Sequence, residues 1–307
     1  MNRFRSADGQ VTVMAAVLMV FLVAMVAFVL DVGSWFRQQR ISQATVDSAA
    51  LAGAQVLPSN PASATALASS YAGKNGGVLG ATITIGSKWN TNDMITVKQQ
   101  KSATGFFSKV LGINAVTVHA KATAVAAIPN ETLGLAPITV NILHPQLSGP
   151  GCPCFNVPTT LPLGKTGAPG AFALLDLDYT DVNGTVGAST LASWITKGFN
   201  SYLPLGVYFS DPGAKWNNSI IQNALIGRYG TDLLFPVYDT LLGSGSNAEY
   251  HVIAWVGFHL QSVDASGTSG SLTGYFTRII WQGIVSKSGP NTPAIPDLGV
   301  RTVALID

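Results

Sequence analysis

Between Val11 and Leu30 the chain has one residue that is not apolar, Thr12, and no charge falls between Asp8 and Asp31. Twenty helical residues rise about 30 Å, the hydrocarbon thickness of a bilayer. Val, Leu, Met, Phe and Ala supply the side chains with no polar stripe at helical period, so such a helix is apolar all round. A globular helix of this length normally carries some polar residues. A secretory signal would have a shorter apolar core, roughly 7–15 residues, and a small-residue cleavage site after it. Asp31-Val32-Gly33-Ser34-Trp35 fits such a site poorly. The run is read as a membrane anchor.

Arg3 and Arg5 precede the run, and Arg37 and Arg40 follow it. The positive-inside count is therefore close to a tie, and the free amino group tips it towards an inward N-terminus. The remainder is poor in charge, with 10% Asp, Glu, Lys and Arg against 47% apolar residues, and is rich in Gly, Ser and Thr. Apolar content that high argues for packed structure rather than disorder. A net charge of +2, with scattered Lys and Arg, argues against nucleic-acid binding. The expected arrangement is a cytoplasmic N-terminus, a single pass through the cell membrane and an extracytoplasmic bulk.

No proline interrupts Asp31–Gln55, where alanine is frequent, so the helix should continue well past the bilayer. From Val11 to Val56 it would measure about 69 Å, with Pro58 and Pro61 ending it and Gly33 and Gly53 as weak points. Ile41, Ala44, Ser48, Leu51 and Gln55 recur at steps of three and four, a stripe suited to seating on a sheet. Ala62–Tyr71 predicts a short helix. Strands are expected at Ala81–Ile85, at Met94–Val97 and, with clear alternation, at Ala115–Ala126. Phe106, Phe107, Val110 and Leu111 have helical spacing and precede Gly112, which suggests a crossover helix. Long helix, small sheet and crossover helix together resemble a pilin-like arrangement.

Prolines at 129, 137, 145, 150, 153, 158, 162 and 169 predict only short elements up to Pro169. Strands are then expected at Phe172–Leu177, Leu233–Val237, His251–Leu260 and Leu272–Ile284, the last two as a hairpin around Asp264–Gly267. Helices are expected at Leu191–Ile195 and around Ile220–Leu225. The fold class is α+β: a long N-terminal transmembrane and stalk helix, a small pilin-like α/β domain, then a β-rich globular module. The boundaries are 1–10 for a cytoplasmic tail, 11–31 for the transmembrane helix, 32–57 for the stem, 58–128 for the α/β domain and 129–307 for the module.

Gly9, Asp31-Val32-Gly33 and the stem Gln43-Ala44-Thr45-Val46-Asp47-Ser48-Ala49-Ala50-Leu51-Ala52-Gly53-Ala54 carry a family likeness. They resemble the N-terminal region of TadG-like (TadE/TadG-like) proteins of the Tad/Flp pilus-assembly group, which have a glycine before the membrane segment, an Asp-x-Gly after it and an Ala-rich stem with one aspartate. Phe106–Gly112, Ala171–Leu177 and Phe235–Asp239 are less specific likenesses in the same order. The resemblance implies an envelope-anchored structural or assembly protein, with other Tad/Flp pilus-assembly or pilin-like subunits and the lipid bilayer as partners. The sequence departs from the family pattern at two places. Prepilins that are cleaved have a glutamate five residues after the glycine, and Met14 stands there, so the anchor is expected to stay intact. Asp264-Ala265-Ser266-Gly267-Thr268 lies near the metal motif of von Willebrand A-type domains but reads as an exposed turn.

The remaining residues offer little chemistry. Cys152-Pro153-Cys154 lacks the spacing of a redox or zinc motif, leaving a local disulfide, free or intermolecular thiols, or a metal site as alternatives. Histidines 119, 144, 251 and 259 have no ligand spacing and read as solvent-facing or satisfied strand residues. Asp176, Asp178, Asp181 and Asn183 form a weak calcium candidate that an Asx turn explains equally. No nucleophile or nucleotide motif is present, so neither catalysis nor a cofactor is expected. The stem face Ala44, Ser48, Ala52 and Gln55 is the candidate for lateral helix contact. The alternative reading is a membrane-anchored ligand- or surface-binding module, with or without calcium, using Trp194, Tyr202, Tyr208 and Trp216.

Overall fold

The computed structural model describes residues 5–76, 82–164, 170–178, 186–211, 213–264, 270–285 and 295–306. They form two compact units, Met1–Ala126 with Ala304–Asp307, and Ala127–Val303.

The first unit is built on α1 (Arg5–Ala54), a single helix of 50 residues and so about 75 Å long. Along Val11–Leu30 its side chains are exposed, with Ala27 alone half-buried. Beyond Asp31 the helix acquires a buried face. Pro61 does not only follow this helix: it opens α2 (Pro61–Lys74) at the first turn, where its missing N–H costs nothing, and Asn60 caps that turn by accepting the N–H of Ser63 at 3.0 Å. Ala64, Ala68 and Ala72, four apart, are buried.

The helices pack on an antiparallel sheet of β1 (Thr82–Gly86), β2 (Met94–Thr104) and β3 (Ala115–Ala127), in that order. Alternate residues Val118, Ala120, Ala122 and Ala124 of β3 are buried, as period two requires. The expected crossover helix is instead a single 3-10 turn, Ser108–Leu111, at the tip of the β2–β3 hairpin. Antiparallel neighbours need no crossover. Gly112, at φ +81°, lets the chain leave that turn in the left-handed region.

In the second unit the strands are β4 (Glu131–Thr132), β5 (Ile138–Asn141), β6 (Pro158–Pro162), β7 (Phe172–Asp176), β8 (Leu203–Pro204), β9 (Gly206–Asp211), β10 (Thr231–Leu242), β11 (Glu249–Asp264), β12 (Ser271–Thr277), β13 (Ile279–Ile280), β14 (Gly283–Ile284) and β15 (Val300–Leu305), whose last two residues belong to the first unit. Its helices are α3 (Pro145–Ser148), α4 (Ala188–Lys197) and α5 (Ser219–Ile226). The main sheet runs β10-β5-β7-β9-β11-β12-β6, and β10 also pairs with β11. Five strands therefore close into a ring, which removes its edges, while β12 and β6 continue from the second half of β11. Phe172, Trp216, Phe235, Trp255, Phe258 and Phe276 fill the core. A small sheet, β14-β4-β8, completes the unit. From Ala304 the chain returns to the first unit, where Ile306 N–H donates to Thr123 O at 2.9 Å.

Candidate assembly surface on the stem

The stem's residues divide by face. Ser42, Val46, Ala49, Ala50 and Gly53 are buried, and they are the ones that seat α1 on the sheet and on α2. A Cβ on Gly53 would stand 2.5 Å from Ile95 Cδ1, 2.9 Å from Ala64 O and 3.2 Å from Ala68 Cβ. A helix-interior glycine costs about 1 kcal/mol against alanine; here it permits three elements to meet. The stripe expected to face the sheet, Ile41, Ala44, Ser48, Leu51 and Gln55, lies on the other side. Ile41, Ala44 and Gln55 are exposed, and Ser48 and Leu51 are half-buried. With small residues on both faces, hydrophobic contrast could not choose between them.

Of the four residues proposed for lateral contact, Ala44 and Gln55 are open, eleven residues and so just over three turns apart on one face. Ser48 accepts a bond from Asn75 Nδ2 at 3.1 Å. Ala52 is buried within its own unit, so it faces inward rather than towards a neighbour. Gly33 is exposed on the outer line, with no atom within 4 Å of where its Cβ would be.

Polar residues fix the stem to the rest of its unit. Gln39 Nε2 donates to His119 O at 2.6 Å, and Gln43 Nε2 to Lys121 O at 2.9 Å and to Asp47 Oδ1 at 2.7 Å. Thr45 Oγ1 lies 3.0 Å from Asn75 O at the end of α2. Asp31 is the strongest of these attachments. Only 1% exposed, it accepts N–H bonds from Phe106 at 2.7 Å, Phe107 at 2.9 Å and Ser108 at 2.5 Å. Three successive amides converge on one carboxylate because Gly105 keeps space for it: a Cβ there would meet Ser108 Oγ at 1.9 Å and Asp31 Oδ2 at 3.0 Å. Asp93 serves the β1–β2 turn in the same way, accepting N–H bonds from Lys88, Trp89 and Asn90 at 2.6–2.9 Å. Neither role was marked in the sequence; for Asp31 the only signal was its place in the family-like Asp-x-Gly.

In the second unit, Asp176 Oδ1 accepts the N–H of Asp178 at 2.9 Å, an Asx turn at the end of β7. Asp176 is buried while Asp178 is exposed, and Asp181 and Asn183 lie outside the described residues. Burial pushes the Asp176 carboxyl up, the Asp178 amide opposes this, and nearby Asp211 adds to it. Asp211, which sequence reasoning missed, is buried and bonded to Lys215 at 2.8 Å; burial outweighs the lysine and also pushes its carboxyl up. Among the described residues no three His, Cys, Asp or Glu side chains are grouped to hold a metal ion.

Cys152 and Cys154 are joined through sulfur, with Cα atoms 4.5 Å apart. His251 and His259 each face an aspartate, Asp239 at 2.8 Å and Asp232 at 2.7 Å, while buried His144 accepts the N–H of Gln146 and caps α3. His119 is exposed at the first unit's sheet. Trp194, Tyr208 and Trp216 are core residues; Tyr202 is on the surface. Trp194 borders a cleft of about 90 Å³ with Arg228 and Trp281, far smaller than a ligand pocket.

Comparison with curated proteins and with solved structures returns no match. Residues 9–56, the apolar segment and the stem, match the family model described as putative Flp pilus-assembly TadE/G-like.

Proposed function

We propose that the chain is a non-enzymatic, single-pass envelope protein with a structural or assembly role in a Tad/Flp-type pilus or in surface display. Its N-terminus is cytoplasmic and its bulk extracytoplasmic, and its partners are the bilayer and other pilus-assembly or pilin-like subunits. The match of residues 9–56 to the pilus-assembly family carries this reading, because it covers the anchor and stem together. An apolar segment exposed at every position but Ala27 supports the membrane role. The outer stem line supports association: Gly33 and Ala44 expose little side chain, so a neighbouring helix can approach closely there.

The test replaces Ala44 by Trp and Gly33 by Leu in the full chain, in cells. Both positions are exposed, so the first unit should fold unchanged, while cross-linked complexes with pilus-assembly subunits should be lost. Complexes and localisation that survive both changes would remove the stem from assembly. The binding-module alternative draws no support from the aromatic residues, three of which are in the core.

A further inference from the structure

The tip of the β2–β3 hairpin is apolar and uncovered. Phe106 is 73% exposed, Val110 88%, Phe107 47% and Ile113 46%, with Lys109 exposed among them. Four large apolar side chains on one short loop are an unusual patch for a surface in water.

The sheet's register against α1 fixes where this tip lies. Gly53, near the end of the helix, meets Ile95 near the start of β2. Further down, Gln43 bonds to Lys121 and Gln39 to His119. Lowest of all, Asp31 bonds to the amides of 106–108. The hairpin thus descends along the stem and turns at the first residue after Leu30, where the apolar segment ends. A bilayer's polar layer is about 5–7 Å deep on each side of its hydrocarbon, so a loop held at Asp31 stands within it. Arg37 and Arg40, about 9 and 13 Å further along the helix, stand beyond it on the aqueous side.

We propose that the loop Phe106–Ile113 seats in the headgroup layer of the bilayer that α1 crosses, in the leaflet from which the stem emerges. Phe106, Phe107 and Val110 enter the acyl boundary, and Lys109 reaches the lipid phosphates. The chain then touches lipid twice, and Asp31 couples the two contacts. The occupant is lipid because the patch is continuous with the membrane-spanning segment. The inference rests on the anchor reading.

The test uses the full chain with Cys152 and Cys154 changed to Ser, reconstituted in vesicles of phosphatidylethanolamine and phosphatidylglycerol. One environment-sensitive fluorophore is attached at V110C, V20C or Q55C. The V110C label should emit to the blue of the Q55C label, be quenched by nitroxides near the lipid headgroup and be shielded from iodide; F106S/F107S should reverse all three. A V110C label as open to iodide as Q55C, with V20C quenched by lipid, overturns the loop contact and leaves the anchor standing. A V20C label that no lipid quencher reaches overturns both. Shielding at V110C that disappears when the protein is diluted in lipid identifies a second copy as the cover, and the proposal fails.

Discussion

Asp31 accepts the backbone N–H of Ser108 at 2.5 Å across 77 positions of sequence. One carboxylate so joins the middle of a 50-residue helix, just past its apolar run, to the tip of a β-hairpin. Charge-assisted bonds of this kind are worth more than neutral ones, and buried amides left without a partner cost more still.

Asp31→Ala should therefore destabilise the first unit, with the damage concentrated at the hairpin tip. Hydrogen exchange in detergent or nanodiscs reads this directly. Amides 106–108 should exchange far faster in the variant, while those of α2 change little. Asp31→Asn should fall between the two, since it keeps an acceptor and loses the charge. Unchanged exchange at 106–108 in Asp31→Ala would show that the carboxylate does not hold the loop.

Much of the first unit was legible from local pattern. The run Val11–Leu30, the proline-free stem and the alternation of Val118, Ala120, Ala122 and Ala124 each declare an element through its own period. What failed were relations between distant residues. The stem's inner face could not be chosen among alanines, and the bonds of Asp31 span 75–77 positions with no local trace. In the second unit the long strands β10 and β11 were found, although shorter than they are. β9 and β15 were missed: Gly206–Asp211 has no clean alternation, and Val300, Arg301 and Thr302 are all buried in sequence. Closure of the five-stranded ring depends on β5 meeting β10 nearly a hundred residues later, which no window of sequence contains.

Two glycines of α1 should respond in opposite directions. Gly33 is exposed in open space, so Gly33→Ala should gain up to about 1 kcal/mol from helix propensity alone. Gly53→Ala brings the same propensity, yet its Cβ would press on Ile95 and on the carbonyl of Ala64. A backbone oxygen cannot step aside as a side chain can, so a net loss of about 1–3 kcal/mol is expected. Thermal or denaturant unfolding of the two variants side by side decides it. Stabilisation by Gly53→Ala would mean that the helices can separate at no cost.

Asp176 should make the second unit more stable in acid than its other groups would. Its carboxyl is raised by burial, so the stability linked to it is fully present below the unfolded value of 3.8 and is lost as pH rises through the raised folded value. Buried His144 acts oppositely: burial holds its imidazole down, and its contribution is present above 6.5 and lost as pH falls. Comparing wild type with Asp176→Asn cancels the histidine. Asn keeps the acceptor for the Asp178 N–H, so the variant should be the more stable at neutral pH, with the difference shrinking as pH drops. A difference that is constant with pH would mean that the buried carboxyl is not strained by its charge.

Alkali should test the barrel through Tyr250. Burial, with Tyr238 beside it at 4.7 Å between ring centroids, pushes the Tyr250 phenol up to about 12 from 10.0. The folded state therefore holds its proton through a range in which the unfolded chain has released it. The linked stability is complete below pH 10 and is lost as pH rises from 10 to about 12. Two units correspond to about 3 kcal/mol. Tyr238, also raised by burial, steepens the same limb. Tyr250→Phe should be nearly as stable as wild type at neutral pH, since the ring stays packed and only the hydroxyl is lost. Above pH 10 it should lose less stability than wild type, and the gap at pH 12 measures the shift. Identical alkaline limbs for the two proteins would place the Tyr250 hydroxyl in water rather than among the strands of the ring.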